Sequence, residues 1–337
     1  MKVSAFRTVI DPEGPRLECP ITTRFLVIGS CFAEHVGAYF RGYKLPHLLN
    51  PNGIVYNPLA IGAVLDRILT GQIYEARDLI EHDGLFHSFG HHGRFSHPDR
   101  ETCLDRINLS LEEAVNFLRM TDVIILTLGT AFAYRFKKTG TWVANCHKLP
   151  PMCFDRELLS LSDMLETFRG LIGRLIDRRP ELRLVVSVSP VRHLRNSARL
   201  NQVSKARLIG FTYQLDQDFP SVRYFPSYEL MLDDLRDYRF YAEDLVHPSD
   251  LAVKYIWDRF AAWCFETTAE HYFNEMDRIV KKLAHRPRNP ASSQHSEFIA
   301  QCREDMAQFS AKYPHVDFSR ELAESPCCAY PSPKKAK

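Results

Sequence analysis

The sequence predicts an α/β fold: a three-layer α/β/α sandwich with a central parallel sheet, followed by a helical C-terminal extension. Three observations carry this. Apolar runs at 25–28, 123–128 and 184–189 have the length and β-branched content of strands buried on both faces. Segments of helical period lie between them at 58–70 and 160–177, and another follows at about 202–217. Beyond about residue 265 the strand signal ceases. Strands separated by helices of this length are joined by crossovers and pair in parallel.

In chain order, the first strand runs into Gly29-Ser30-Cys31-Phe32-Ala33, and residues 33–40 then have helical spacing. The helix at 58–70 carries Leu59, Ile61, Val64, Leu65 and Ile68 along one side. Residues 74–108, rich in His, Gly and Phe, read as a long loop or a small excursion. Ser110-Leu111-Glu112-Glu113 is a capping box that opens a helix to about residue 120. The strand at 123–128 is followed by a hairpin at 132–145 around Lys138-Thr139-Gly140. After the 184–189 strand come the 202–217 helix, a short strand at 222–225 and a closing helix at 251–265. That helix carries Val253, Ile256, Trp257 and Phe260. No internal repeat is visible.

Three segments are expected: a site-bearing domain over 1–265, a helical extension over 266–320 and a disordered tail over 321–337. The extension contains two amphipathic helices, 266–285 and 294–312, separated by Arg286-Pro287-Arg288-Asn289-Pro290, where two prolines forbid a continuous helix. The tail carries Cys327-Cys328 and three lysines.

With 337 residues, 45% of them hydrophobic, the chain can bury a large core. A formal net charge of +2 gives no long-range pull toward nucleic acid or an anionic membrane, so neither is an expected partner. The opening residues lack the apolar run of a secretion signal, and no stretch approaches membrane-spanning length. Nine cysteines at scattered positions fit reduced thiols rather than a disulfide framework. A cytoplasmic location is the expectation.

The chemistry concentrates in two places. Ser30 and Cys31 sit side by side on a strand-to-helix turn, where α/β enzymes expose a nucleophile and helix-end amides favour negative charge. More than two hundred residues downstream, Tyr241-Ala242-Glu243-Asp244-Leu245-Val246-His247-Pro248-Ser249 holds an Asp and a His three apart, before another helix. Together they supply a nucleophile, a general base in His247 and an acid, Asp244, to fix its tautomer. The residues alone leave open whether Cys31 or Ser30 attacks. Arg192 follows the end of a strand, where α/β folds bind ligands, and is a candidate for holding a carboxylate or phosphate. Asn145 and His147, from Asn145-Cys146-His147-Lys148, are candidate substrate-binding residues. Arg236, Asp237 and Arg239 read as an ion-pair network bracing the Asp244–His247 loop. Asn201, Gln202 and Lys205 read as cleft lining or a helix cap. His87, His91, His92, His97 and Cys103 match no compact zinc spacing, so no metal is expected. No phosphate-cradling Gly-x-x-x-x-Gly-Lys-[Ser/Thr] loop is present, and no cofactor is expected.

The string Gly29-Ser30-Cys31-Phe32-Ala33 resembles the signature of the GSCFA-domain family, which belongs with the SGNH (GDSL-like) hydrolases. The resemblance continues through Asn50-Pro51-Asn52-Gly53-Ile54-Val55-Tyr56-Asn57-Pro58, Leu126-Thr127-Leu128-Gly129-Thr130-Ala131 and Asn145-Cys146-His147-Lys148. It extends through Val188-Ser189-Pro190-Val191-Arg192-His193, Asn201-Gln202-Val203-Ser204-Lys205 and the run 224–248, covering roughly residues 5–265 in order.

Laying Gly29 on the glycine of the SGNH Gly-Asp-Ser block puts Cys31 in the serine slot and Ser30 in the Asp slot. The resemblance implies oxyanion donors at the N–H of Cys31, at Gly53, and at Gly129 and Thr130. The chain departs from the pattern at Ala131, where that fold offers an Asn side chain; Thr130 or Asn145 are the substitutes to examine. The implied function is acyl-ester chemistry. An esterase, a thioesterase or an O-acyltransferase would act on a small-molecule or glycan substrate, through a covalent acyl-enzyme. The alternatives are a thiol redox or thiol-transfer enzyme, and a non-catalytic ligand-binding module with a degenerate site. The C-terminal helices offer a surface for a homo-oligomer.

Overall fold

The computed structural model describes residues 3–4, 7–285, 287, 289 and 292–323. The Cys327-Cys328 tail and the prolyl link at Arg286, Arg288 and Pro290 lie outside the described residues. Two compact units emerge, Met1–Pro15 with Thr23–Ala38 and His47–Trp263, and Arg16–Thr22 with Tyr39–Pro46 and Cys264–Lys337. The Gly29–Ala33 turn and the Asp244–His247 loop both belong to the first.

The first unit opens with a two-residue antiparallel pair, β1 (Val3–Ser4) and β2 (Arg7–Thr8). β3 (Phe25–Gly29) is fully buried and leads into α1 (Cys31–Gly42). β4 (His47–Leu49) returns beside β3 in parallel. α2 (Pro58–Thr70) occupies the predicted residues because both ends are written in sequence. Asn57 caps the Ala60 N–H, Pro58 sits in the first turn, and Gly71 closes the helix in the left-handed region.

Of the two expectations for 74–108, the long loop is corrected. The segment contains a hairpin, β5 (Leu79–His82) with β6 (Leu85–Ser88), and half of α3 (Arg100–Leu118). The cap of α3 is Asp99, which accepts the Thr102 N–H, and the Ser110 hydroxyl donates to the Pro51 carbonyl instead of capping.

β7 (Val123–Leu128) is buried along its whole length. β8 (Phe132–Phe136) and β9 (Thr141–Val143) form the predicted hairpin, and β10 (Phe154–Leu158) adds a third antiparallel strand on β8. α4 (Leu161–Arg178), β11 (Arg183–Val188), α5 (Ala198–Asp218) and β12 (Val222–Tyr224) follow. After the one-turn α6 (Ser227–Glu229), α7 (Asp250–Cys264) closes the pattern.

The main sheet has the order β12-β11-β7-β3-β4, parallel throughout. Leu26, Ile28, Ile124, Leu126, Leu184 and Val186 pack on one face against α2, α4 and α5, as in Ile61, Val64, Phe168 and Phe211. The alternate residues Phe25, Val27, Ile125 and Val185 are equally buried, so both faces are covered and the unit is a three-layer α/β fold. β3, β7 and β11 end side by side, which places the turns at Gly29, Gly129 and Ser189 on one rim.

The second unit is built on α8 (Ala269–Leu283), α9 (Ser293–Lys312) and α10 (Ser319–Ala323). Tyr272, Met276, Ile279, Met306 and Phe309 are its buried apolar residues, and Tyr272 stacks edge-on with Tyr313. The segment Tyr39–Pro46 belongs to it through Tyr43, whose hydroxyl donates to Asp277 at 2.6 Å, and Lys44, 2.6 Å from Glu321. Among the described residues no helix is long and apolar enough to cross a membrane.

Candidate active site

The turn at the end of β3 is held by three neighbours. The Gly29 N–H donates to Asn50 Oδ1 at 2.8 Å, and a Cβ at Gly29 would collide with the hydroxyl and backbone of Thr127. The Ser30 N–H donates to the Thr127 carbonyl at 3.0 Å, and the Ser30 hydroxyl lies 3.2 Å from Thr127 Oγ1 while accepting the Phe32 N–H. Ser30 is thereby pinned inside the molecule and caps α1. Cys31, one residue on, is half-buried and faces the other way, with Sγ 3.6 Å from His247 Nε2.

His247 is delivered by a tight loop. The Asp244 carboxylate accepts the N–H groups of Val246 and His247, each at 2.9 Å, and His247 Nδ1 donates to Asp244 Oδ2 at 2.7 Å. The loop is closed by the Ala242 N–H on the His247 carbonyl, and the Arg192 N–H ties it to the end of β11 through the Val246 carbonyl. The His247 amide, then the Val246 amide and the imidazole, hold Asp244 down at about 2. Contact with the Cys31 sulfur raises His247 to about 9, with Asp244 adding to the rise and burial opposing it. His247 therefore keeps its proton at neutral pH.

The neighbouring imidazoles behave oppositely. Burial, then the charge of His247, lowers His35; burial, then Lys205 and His247, brings His193 down to about 4. Both are neutral beside a charged His247.

The expected oxyanion donors need correction. The Gly53 N–H is donated to the Asn50 carbonyl at 2.7 Å, in a turn where Gly53 has φ +78 and a Cβ would meet His92. The N–H groups of Gly129 and Thr130 both point at the Tyr56 carbonyl, at 2.8 and 3.2 Å. These three are engaged by the protein's own backbone. The Cys31 N–H, at the first position of α1, donates to no group among the described residues.

The turn after β7 is braced from α5, a role the sequence did not reveal. Lys205 is fully buried, and its Nζ donates to the carbonyls of Gly129 at 2.7 Å and Ser189 at 2.6 Å. Burial pushes it down to about 7, while Cys31 favours its charged form. Ser204 Oγ accepts the Ala131 N–H at 2.8 Å and lies 3.0 Å from Thr130 Oγ1. Ala131 is thus buried behind a Ser–Lys brace, and the Thr130 side chain is occupied by it. The signal was the Asn201–Lys205 string, whose lysine falls on the inner face of an amphipathic helix.

Of the other candidates, Arg192 stands beside the His247 loop, with its guanidinium 6.0 Å from the centre of the Tyr241 ring. Asn145 and His147 are engaged in local contacts. Asn145 Oδ1 accepts the His147 N–H, and His147 Nε2 is 2.7 Å from the Ser88 carbonyl, its ring stacked on His87. Burial lowers His147 to about 4, so it is a neutral lock between the 144–148 turn and the β5–β6 hairpin. The ring nitrogens of His87 and His91 are likewise spent, on Ser96 and His82, and on Ser88 and Asn52. The expected Arg236–Asp237–Arg239 network reduces to one exposed pair, Arg239 Nε to Asp237 at 3.9 Å, without Arg236.

The GSCFA family profile matches residues 24–260, and that of the GSCFA domain protein, C-terminal domain, matches residues 276–326. No curated protein matches the chain. Among solved structures, a Streptococcus pneumonia protein described provisionally as a platelet activating factor is 11% identical, with TM-score 0.37, covering 72% of this chain and 84% of its own. The Clostridium thermocellum family 3 carbohydrate esterase is 11% identical, with TM-score 0.35, covering 75% and 98%. A carbohydrate esterase family 3 protein from Talaromyces cellulolyticus is 7% identical, with TM-score 0.34, covering 75% and 99%.

Proposed function

This chain belongs to the GSCFA family, and from that premise we propose that it is a cysteine-dependent acyl-ester enzyme, an esterase, thioesterase or O-acyltransferase. The observation that carries the reading is the relay Cys31 Sγ to His247 Nε2, 3.6 Å, and His247 Nδ1 to Asp244, 2.7 Å.

The steps follow from where the proton sits. With His247 protonated, the Cys31 sulfur attacks the acyl carbon as a thiolate, an S–C bond forms, and the carbonyl electrons move onto oxygen. The Cys31 N–H at the start of α1 is the donor available to that oxyanion. Collapse of the intermediate expels the alkoxide or thiolate, which takes the proton from His247 Nε2. In the second half, neutral His247 removes a proton from water or an acceptor alcohol. Attack by that oxygen breaks the S–C bond and restores the thiolate–imidazolium pair, releasing an acid or a new ester. Asp244 keeps Nε2 directed at the sulfur throughout and stabilises the imidazolium.

A ligand-binding module with a degenerate site is the second reading. It is favoured by one observation, that the N–H groups of Gly53, Gly129 and Thr130 are all internally satisfied. Intact mass spectrometry after incubation with a panel of activated esters and acyl thioesters separates the two. An enzyme leaves an acyl adduct that maps to Cys31; a binding module leaves none with any member of the panel.

A further inference from the structure

Resting on that reading, we propose that the substrate carries an oxyanion, a carboxylate or a phosphate, and that this group docks in a donor-lined cavity beside the His247 loop. The cavity has a volume of about 240 Å³. It adjoins the relay through two backbone links: the Arg192 N–H on the Val246 carbonyl, and the bridge that pairs Tyr241 with Pro248.

Its polar lining is rich in donors. Arg192 and Arg236 both line it, and neither guanidinium has a hydrogen-bonded or ion-paired carboxylate among the described residues. Arg192 is half-buried, so an uncompensated charge there is costly unless something fills the role of counter-ion. Two amides of α5 add to this. Asn201 Oδ1 is used by the His193 N–H at 2.8 Å and Gln202 Oε1 by the Tyr228 hydroxyl at 2.7 Å, which leaves the NH₂ ends for a ligand. The one carboxylate in the lining, Asp237, already accepts the Arg239 N–H and lies 3.9 Å from the Arg239 Nε. Two fixed cations and two amide donors against one occupied carboxylate select an anion with several acceptor atoms. Met231 and Leu235 supply an apolar wall for the carbon chain that links the anion to the reacting carbonyl.

The test uses the full-length Cys31→Ala protein, which cannot form an acyl-enzyme, titrated calorimetrically with glutarate, methyl phosphate, glutaramide and methyl α-glucoside. One or both anions should bind, the two neutral compounds should not, and affinity should fall as salt rises. Binding of glutarate alone would narrow the group to a carboxylate, and of methyl phosphate alone to a phosphate. Arg236→Gln, at an exposed position with no partner among the described residues, should weaken binding at least about tenfold, and Arg192→Gln similarly, with Arg192→Lys retaining part of it. Equal binding of the neutral compounds, or anion binding unchanged in Arg236→Gln, overturns the proposal. Anion binding without any acyl adduct on the wild-type protein would leave the pocket standing and remove the enzymatic reading.

Discussion

The Nζ of Lys205 lies 2.7 Å from the carbonyl oxygen of Gly129, and the same ammonium holds the carbonyl of Ser189. One side chain from α5 thus ties together the ends of β7 and β11. The brace holds both carbonyls from inside the fold, and burial brings its own Nζ down to about 7, close to neutral pH.

Removing the brace should therefore be expensive. Lys205→Met leaves two buried carbonyls without donors and should cost about 2–4 kcal/mol of stability. Denaturant unfolding of the purified variant checks this; a loss under 0.5 kcal/mol, in the range of a neutral surface change, would contradict the role.

Gly29→Ala should be destabilising by about 3 kcal/mol or more, because the new methyl meets the Thr127 hydroxyl and backbone between paired strands that cannot part. Glycine is required here by close approach, so a variant with wild-type melting temperature would mean that β3 and β7 can separate at this point.

The pH profile follows from the raised His247. A group with its pKa raised to about 9 keeps its proton below that pH, so the imidazolium that must protonate the leaving group is lost only as pH rises through about 9. Turnover should show a basic limb there. Asp244 is one cause of the rise, so Asp244→Asn should move that limb toward lower pH as well as slow the reaction. A limb that stays in place would show that Asp244 does not act on His247.

Cys31, His247 and Asp244 should behave as a unit. Cys31→Ala and His247→Ala should each lower kcat/KM by about a thousandfold or more, with the double variant scarcely worse than either. Multiplicative losses would mean independent roles.

Much of this was legible in the chain. The 58–70 helix carried its own start and stop in Asn57, Pro58 and Gly71, and the 123–128 strand was a continuous apolar run. Asp244 and His247 were findable because three-residue spacing puts their contact within one loop. Other elements left no such trace. β4 is three residues long, and β10 is written Phe-Asp-Arg-Glu-Leu, with Glu157 pairing across the ladder with Arg135 at 2.8 Å, so charge replaces the apolar alternation. The start of α3 was hidden because Ser110 matched a capping pattern while its hydroxyl had a tertiary acceptor in Pro51. Of the oxyanion donors the resemblance implied, those at Gly53, Gly129 and Thr130 could not be judged from sequence, since whether the Gly129 N–H is free depends on where the Tyr56 carbonyl lies, seventy-odd residues away in sequence.

The expected boundary at 265 bears on truncation. Tyr43 and Lys44 find their partners in Asp277 and Glu321, and the Cys19 N–H donates to the Cys264 carbonyl at 2.8 Å. A chain ending at residue 265 exposes the apolar side of Tyr39–Pro46, and we expect it to aggregate or to melt well below the full chain. Wild-type melting of that fragment would show that the C-terminal helices are a detachable extension.

Competitive alkylation tests the central claim, that Cys31 and His247 form a reactive pair, most directly. Brief exposure of the native protein to substoichiometric iodoacetamide at pH 7, followed by peptide mapping, should mark Cys31 ahead of the other eight thiols. His247→Ala should abolish that preference. Burial raises the Cys146 thiol to about 11, which makes it a poor competitor. Labelling of Cys146 or of Cys327 and Cys328 first, with Cys31 inert, would contradict the account.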